Sequence, residues 1–341
     1  MPAQRCPAIR QRGVGPEKAT LAKSLPSGPE RVTPTRVTSI SPQTGDFGHG
    51  PSTLTLGDLR VRRLGYGAMR LPGKDVWGEP PDRSRALAVL RRAVELGVNL
   101  IDTAWYYGPH VANPLIAEAL HPYPKDLVIA CKLGGMRTPD RGWAPFLRPE
   151  QLREGLEHDL RTLKLERIDV VHLRILPSAD VPFAESLDAL IDEQRKGRIR
   201  HLALSNVGLE ELDAALARTP IVAVQNLYNV GGGAGQLAKL THAEVQDPKA
   251  VLARCEEKGI AFLPFFPLAV GTVQRIQPKL EVAAKKHGAT VAQVALAWLL
   301  ARSKVILPIP GTSSIAHLEE NWAARKIQLS PEDVRALGAQ A

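Results

Sequence analysis

From Leu54 onward the chain alternates between two spacings of apolar residues. Short apolar runs that read as strands lie at Arg63–Gly67, Asn99–Thr103, Leu127–Lys132, Asp169–Leu173, His201–Ser205, Ile221–Asn226, Ala261–Phe265 and Val305–Pro308. Between them the helical period appears over Ser84–Leu96, Pro149–Leu163, Phe183–Lys196, Leu209–Ala217, Pro248–Glu257 and Thr290–Ala301. In the first of these helices Ala86, Val89, Leu90, Ala93 and Val94 share one face. Asp82, Ser84 and Ser205 stand where helix caps are expected, and Gly97 and Gly259 where helices end. Ahead of the series, Leu54–Val61 reads as two short strands around a Gly57-Asp58 turn, a hairpin.

Eight strand–helix alternations predict a parallel sheet with right-handed crossovers, and eight such units close into a (β/α)8 TIM barrel. An open, doubly wound sheet shares that alternation, but it normally carries Gly-x-Gly-x-x-Gly between its first strand and a helix. Here Leu64-Gly65-Tyr66-Gly67-Ala68-Met69 leads into a loop, which favours the barrel. Residues 1–52 are rich in Pro, Gly, Ser and Thr without apolar period, and read as a disordered N-terminal extension before a barrel domain at 53–341. An over-extended reading frame or an Arg- and Ser-rich transit peptide are the other readings of that segment.

Composition narrows the class. A length of 341 residues suits one barrel domain, and 44% hydrophobic with 23% charged residues supports a large core. The net charge of +9 draws four of its charges from residues 1–52, where seven Lys/Arg face three acids. No compact basic block interleaved with aromatics occurs, which argues against nucleic acid. Cys6, Cys131 and Cys255 lie far apart, without metal spacing or a disulfide framework, as in a reduced cytoplasmic protein. No apolar run approaches the roughly 18 residues of a membrane span.

A barrel of this kind places its chemistry at the C-terminal ends of its strands. The polar residues found there are Asp102, Tyr107, Lys132, Arg174, Ser205, Asn206, Gln225 and the Gly311–Ser314 turn. The run Asp102-Thr103-Ala104-Trp105-Tyr106-Tyr107-Gly108 resembles the Asp-Thr-Ala-x-x-Tyr-Gly signature of the aldo-keto reductases. Val128–Gly134 is similar to that family's lysine strand, and Ile309–Ser314 with Leu318-Glu319-Glu320-Asn321 to its adenosine-phosphate segment. The resemblance runs from about residue 53 to about residue 339. It implies a nicotinamide-dependent oxidoreductase that reduces a small-molecule carbonyl by hydride transfer, cytoplasmic, and a monomer or weak homo-oligomer.

Reducing a carbonyl leaves an oxyanion that needs a proton. A tyrosine, with a free pKa near 10, serves at neutral pH only if a neighbouring cation stabilises tyrosinate. Lys132 can supply that cation, and Asp102 can hold it. Spacing alone leaves open an exposed tyrosine and a structural Asp–Lys pair. The resemblance selects the catalytic reading, with Tyr107 rather than Tyr106 as proton donor. Trp105, Tyr106, Trp143 and Tyr228 are then candidates for the substrate pocket. The loops Gly135–Phe146 and Val230–Val245 are expected to overhang the barrel mouth and set substrate choice.

The family usually ends its fourth strand in histidine, whereas this chain reads Asp169-Val170-Val171-His172-Leu173-Arg174. Arg174 takes that place, and His172 falls on the same side one layer deeper. At about 4 Å and an effective dielectric near 20, an arginine favours an oxyanion by roughly 4 kcal/mol before desolvation. Arg174 can therefore act as electrophile, or hold an acidic substrate group, but not shuttle a proton.

For the cofactor, the resemblance implies NADPH ahead of NADH. Ser205, Asn206 and Gln225 would meet the nicotinamide carboxamide, and Phe265 would stack on its ring. Backbone at Phe266, Leu268 and Gly271 would approach the pyrophosphate. Gly311, Thr312 and Ser313 lead into a helix N-terminus that attracts phosphate. His317 stands where many relatives grip the 2′-phosphate with arginine, and Glu320 and Asn321 would meet the adenine. The alternatives are reduction of a conjugated double bond or lyase-like chemistry on the same site, or a nicotinamide-binding regulatory subunit of slow turnover.

Overall fold

A computed structural model describes residues 47–176, 180–231, 247–268 and 276–338. Gly271, residues 1–46 of the expected extension and most of the expected 230–245 loop lie outside the described residues.

The hairpin forms as its pattern predicts: β1 (Thr53–Leu56) pairs antiparallel with β2 (Leu59–Arg62), and Gly57 supplies the turn's positive φ of 65°. Seven parallel strands follow in the order β3 (Tyr66–Gly67), β4 (Leu100–Asp102), β5 (Val128–Arg137), β7 (Ile168–Arg174), β8 (Ile199–Ser205), β9 (Ile221–Gln225) and β10 (Ala261–Phe262). The eighth stave is segment 305–310. Phe262 N donates to Val305 O at 2.8 Å and Leu307 N to Phe262 O at 2.8 Å. On its other side Gly65 N donates to Pro308 O at 2.9 Å and Gly67 N to Pro310 O at 3.2 Å, closing the (β/α)8 barrel. The strand expected at Val305–Pro308 is thus in place, but Pro308 and Pro310 lack the N–H groups a regular ladder needs. The closure demands small residues: a Cβ on Gly311 would lie 2.6 Å from the Gly67 carbonyl oxygen.

Strand alternation sorts the apolar residues into two cores. Leu100, Val128, Ala130, Val170, Ala203, Ala223, Ala261, Leu263, Leu307 and Ile309 fill the barrel, with Leu56 and Val61 of the hairpin against them. The opposite parity, for example Ile101, Ile129, Val171, Leu204 and Val224, packs under the helices. These include α1 (Arg83–Leu96), α2 (Ala112–Leu120), α3 (Pro149–Leu163), α4 (Phe183–Arg195) and α5 (Leu209–Leu216). Asp82 caps α1 by accepting from Arg85 N at 2.9 Å, and Gly97 ends it with φ 100°. Ser84 instead lies inside α1, and Ser205 caps nothing: it is fully buried at the end of β8, three residues short of the Gly208 cap of α5.

Two expectations are corrected. Gly135–Phe146 is not an overhanging loop, because β5 runs on to Arg137 and pairs antiparallel with β6 (Trp143–Phe146). Nor does the barrel begin at residue 53. Arg63 is fully buried, and its Nη1 donates to the carbonyls of His49 at 2.7 Å and Pro51 at 3.3 Å. His49 also accepts from Leu329 N at 2.8 Å, so residues 47–52 belong to the barrel. Among the described residues no helix is long and apolar enough to cross a membrane, and no cluster of His, Cys, Asp and Glu could hold a metal ion.

Candidate active site

The residues that continue the inward parity beyond the apolar layers are Asp102, Lys132, Arg174, Gln225 and Phe265. They gather beside a cavity of about 350 Å³ at the strand C-termini. Asp102, Tyr106, Tyr107, Trp143, Arg174, Gln225, Phe265, Phe266, Leu268 and Gly311 line it, all of them anticipated from the sequence. The residues not anticipated are Gly67, Met69, Arg70, Asp75, Val76, Leu176, Pro267, Ile309 and Pro310. Met69, Arg70 and Leu176 directly follow barrel strands, so the strand-end rule could have found them.

Lys132 and Asp102 form an ion pair, with side chains 2% and 4% exposed. The second Asp102 oxygen accepts from Gln225 Nε2 at 2.8 Å. Removing either ion would leave the other buried and unpaired, at a cost of about 3–5 kcal/mol. Gln225 therefore reaches the cavity with one of its two amide N–H donors engaged on Asp102.

Tyr107 closes against this pair. Its ring centroid lies 5.3 Å from Lys132 Nζ, so the ammonium faces the ring, not the hydroxyl alone. Burial raises the phenol pKa well above its ordinary value, Asp102 raises it further, and Arg174 pulls it down. Arg174 is thus a cation acting on this phenol in addition to Lys132, to which the sequence pointed. Arg174 Nη1 donates to Ser205 Oγ at 3.1 Å, and its guanidinium carbon lies 5.2 Å from the Phe265 ring centroid. His172, one layer deeper, is fully buried; burial above all lowers its pKa to about 4, so it is neutral at pH 7.

The loop bearing Tyr107 is pinned from behind the barrel wall. Thr103 Oγ1 donates to Asn113 Oδ1 at 2.8 Å, and Asn113 Nδ2 donates to Asp159 Oδ1 of α3 at 2.6 Å. Asp159 is fully buried, which pushes its pKa up to about 8. At the mouth, Arg137 is sandwiched between Trp143 (4.4 Å) and Trp77 (5.3 Å). It donates to the main-chain carbonyls of Asp75, Val76, Arg141 and Gly142. Asp75 and Val76 have φ of 61° and 58°, strained for residues with a Cβ, and this clamp holds them.

Several candidates fall elsewhere. Trp105 turns away from the mouth and packs on Phe146, His110 and His158, over Gly155 of α3, where a Cβ would meet its Nε1 at 3.0 Å. Tyr228 is likewise in the wall, stacked on Trp298 at 5.9 Å and edge-on to Phe262. Ser205 faces Arg174, and Asn206 donates to Ile175 O at 2.8 Å from a φ of 60°. Thr312 Oγ1 accepts from Ser314 N at 3.0 Å, and Ser314 caps the helix Ile315–Ala323. Ser313 and His317 are exposed at that helix start, Glu320 accepts from Thr290, and Asn321 is buried.

A family model described as the Aldo/keto reductase family matches residues 63–340. Pyridoxine 4-dehydrogenase of Escherichia coli K12 is 44% identical over 291 residues, covering 84% of this chain and 97% of that protein. An uncharacterized oxidoreductase of Schizosaccharomyces pombe is 41% identical over 281 residues, covering 82% and 87%. Among solved structures, a thermostable aldo-keto reductase in complex with the inhibitor epalrestat superposes with a TM-score of 0.71 at 29% identity, covering 85% of this chain and 99% of that one. An aldo-keto reductase from Klebsiella pneumoniae in complex with NADPH gives 0.65 at 25% identity, covering 82% and 91%.

Proposed function

This chain belongs to the aldo/keto reductase family, and from that premise we propose that it reduces an aldehyde or ketone with NADPH, Tyr107 delivering the proton. It is an oxidoreductase that uses a nicotinamide cofactor. The observation that carries the proposal is the Tyr107 phenol. It lines the cavity, is held protonated by burial, and stands over the Asp102–Lys132 pair with the Arg174 charge acting on it.

The residues fit the cofactor. The Phe265 ring on the cavity wall suits stacking, and Gly311 opens toward the exposed Ser313 and His317 at a helix N-terminus. NADPH, when bound, supplies the hydride for the carbonyl carbon. Tyr107 Oη gives its proton to the carbonyl oxygen, and the Arg174 charge offsets the negative charge left on the phenolate. Asp102 fixes Lys132 against the ring, and Gln225 fixes Asp102. The NADPH-bound neighbour and the hydroxyl-rich 312–314 turn favour NADPH over NADH.

The E. coli relative makes pyridoxine, and the aldehyde formed from it at position 4, the first substrates to try. The test is NADPH consumption with that aldehyde, by wild type and Tyr107→Phe. We expect kcat to fall by about 10²–10⁴-fold while the Kd for NADPH stays within a few-fold. Full activity in the variant would end the tyrosine mechanism.

A further inference from the structure

Among the described residues, four charged side chains line the cavity: Arg70, Asp75, Asp102 and Arg174. Arg70 and Asp75 are of opposite sign and exposed to solvent at the rim. Asp102 is neutralised by its buried pair with Lys132. Arg174 makes one hydrogen bond, to the Ser205 hydroxyl, and no ion pair with a carboxylate among the described residues. The floor of the cavity therefore carries one uncompensated positive charge, the Arg174 guanidinium.

Its position is set by the sheet. Arg174 and Ser205 are register partners at the ends of β7 and β8, so their side chains leave the same face side by side. Arg174 Nη1 donates to Ser205 Oγ at 3.1 Å, and the guanidinium carbon lies 5.2 Å from the Phe265 ring centroid. One cation thus touches both residues to which the nicotinamide is assigned, Ser205 for the carboxamide and Phe265 for the ring. Ser205 accepts from Arg174 and keeps its own hydroxyl proton to donate. A nicotinamide held by this pair lies beside the guanidinium. The reduced ring is neutral and the oxidised ring is positive, so the two forms of the cofactor differ by one charge at this spot. Like charges close together in a partly dry site change an affinity by about tenfold to 100-fold.

We propose that Arg174 makes the site discriminate between the redox forms of its cofactor, holding NADPH and repelling NADP+. The inference rests on Ser205 and Phe265 as the residues that hold the nicotinamide. In reduction a hydride goes to the carbonyl carbon and the Tyr107 proton to its oxygen. The phenolate thus forms in the same step as the positive ring, and balances it. Once Tyr107 has taken a proton back from solvent, Arg174 faces the oxidised ring with no anion between them, and release is favoured. A neutral imidazole, at the strand end where the family usually carries histidine, would exert no such repulsion.

Calorimetric titration of NADPH and of NADP+ into the full-length protein reads the two Kd values without any substrate. Both forms carry the same phosphates, so the ratio isolates the ring. Wild type should bind NADPH tighter by about tenfold to 100-fold. Arg174→Gln, which keeps a donor for Ser205, should strengthen NADP+ binding about tenfold and leave NADPH within about threefold. Arg174→Lys, which keeps the charge, should hold the wild-type ratio within a few-fold. If the guanidinium only fills the ring's place and steps aside, Arg174→Gln tightens both forms equally. If it only supports Phe265, the variant weakens both equally. Either result overturns the inference, and a wild-type ratio near one overturns it without any variant. Binding of neither form, at concentrations of about hundreds of micromolar, ends the cofactor reading and this inference with it. Binding of both forms with a ratio indifferent to position 174 ends this inference alone.

Discussion

Asp159→Asn is a perturbation whose effect on stability can be worked out from one buried group. Asp159 is fully buried behind β5, and its pKa is about 8, raised by burial against the pull of Asn113, Cys131 and Lys132. In the unfolded chain the same carboxyl titrates near 3.9. Above that pH the unfolded chain has released the proton while the folded chain keeps it. The group's contribution is therefore fully present below about 3.9 and declines until the folded form ionises near 8. Each pH unit in that window costs about 1.4 kcal/mol, or about 2.7 kcal/mol between pH 5 and pH 7. For a domain of this size that is roughly 5–10 °C in Tm. Asparagine keeps an oxygen for the Asn113 amide but has no proton to lose. Thermal melts of both proteins at pH 5, 6, 7 and 8 isolate the effect, because every other titrating group is common to both. The difference between variant and wild type should move in the variant's favour by that amount as pH rises. A difference independent of pH would mean that Asp159 is already ionised in the fold, and the reasoning from burial would fail.

Truncation tests the start of the barrel. Removing residues 1–52 should lower Tm by several degrees relative to removing 1–46, because the buried Arg63 then loses carbonyl acceptors, at about 1–3 kcal/mol. Equal melting temperatures would separate residues 47–52 from the fold. Because burial raises the Tyr107 pKa, the proton donor is loaded throughout the neutral range. The rate of reduction should stay level there and fall only in the alkaline range, while oxidation, which needs the phenolate, should rise with pH; steady-state profiles in both directions check this. Arg137→Ala should raise KM several-fold with less change in kcat, and speed proteolysis near Asp75, since the carbonyls of 75 and 76 lose their donors.

The period-two alternation that marks the strands also aligns Asp102, Lys132, Arg174 and Gln225 as the layer above the apolar fill, so the fold and the site's floor were legible together. What escaped the sequence was carried by main-chain groups or by rotation about a turn. Residues 47–52 have no apolar period, and their attachment runs through carbonyls and one imidazole. Trp105 and Tyr106 are adjacent, yet the turn after β4 sends one into the wall and the other into the cavity. Tyr228 lies three residues beyond β9 and rotates outward to Trp298. The hairpin at 135–146 did leave a signal, the Pro139-Asp140-Arg141-Gly142 turn between two extended runs.

The Arg137 clamp bears on how this scaffold can be re-engineered. It grips the segment at 75–76 by hydrogen bonds to its peptide oxygens, which every amino acid possesses, and the side chains there add only the charge of Asp75. Those side chains nevertheless form part of the cavity rim. The contour of the backbone and the chemistry it displays are thus separable: libraries randomised at 75 and 76 would sample new selectivities on an unchanged framework, provided that position 137 and its two indole partners are held constant.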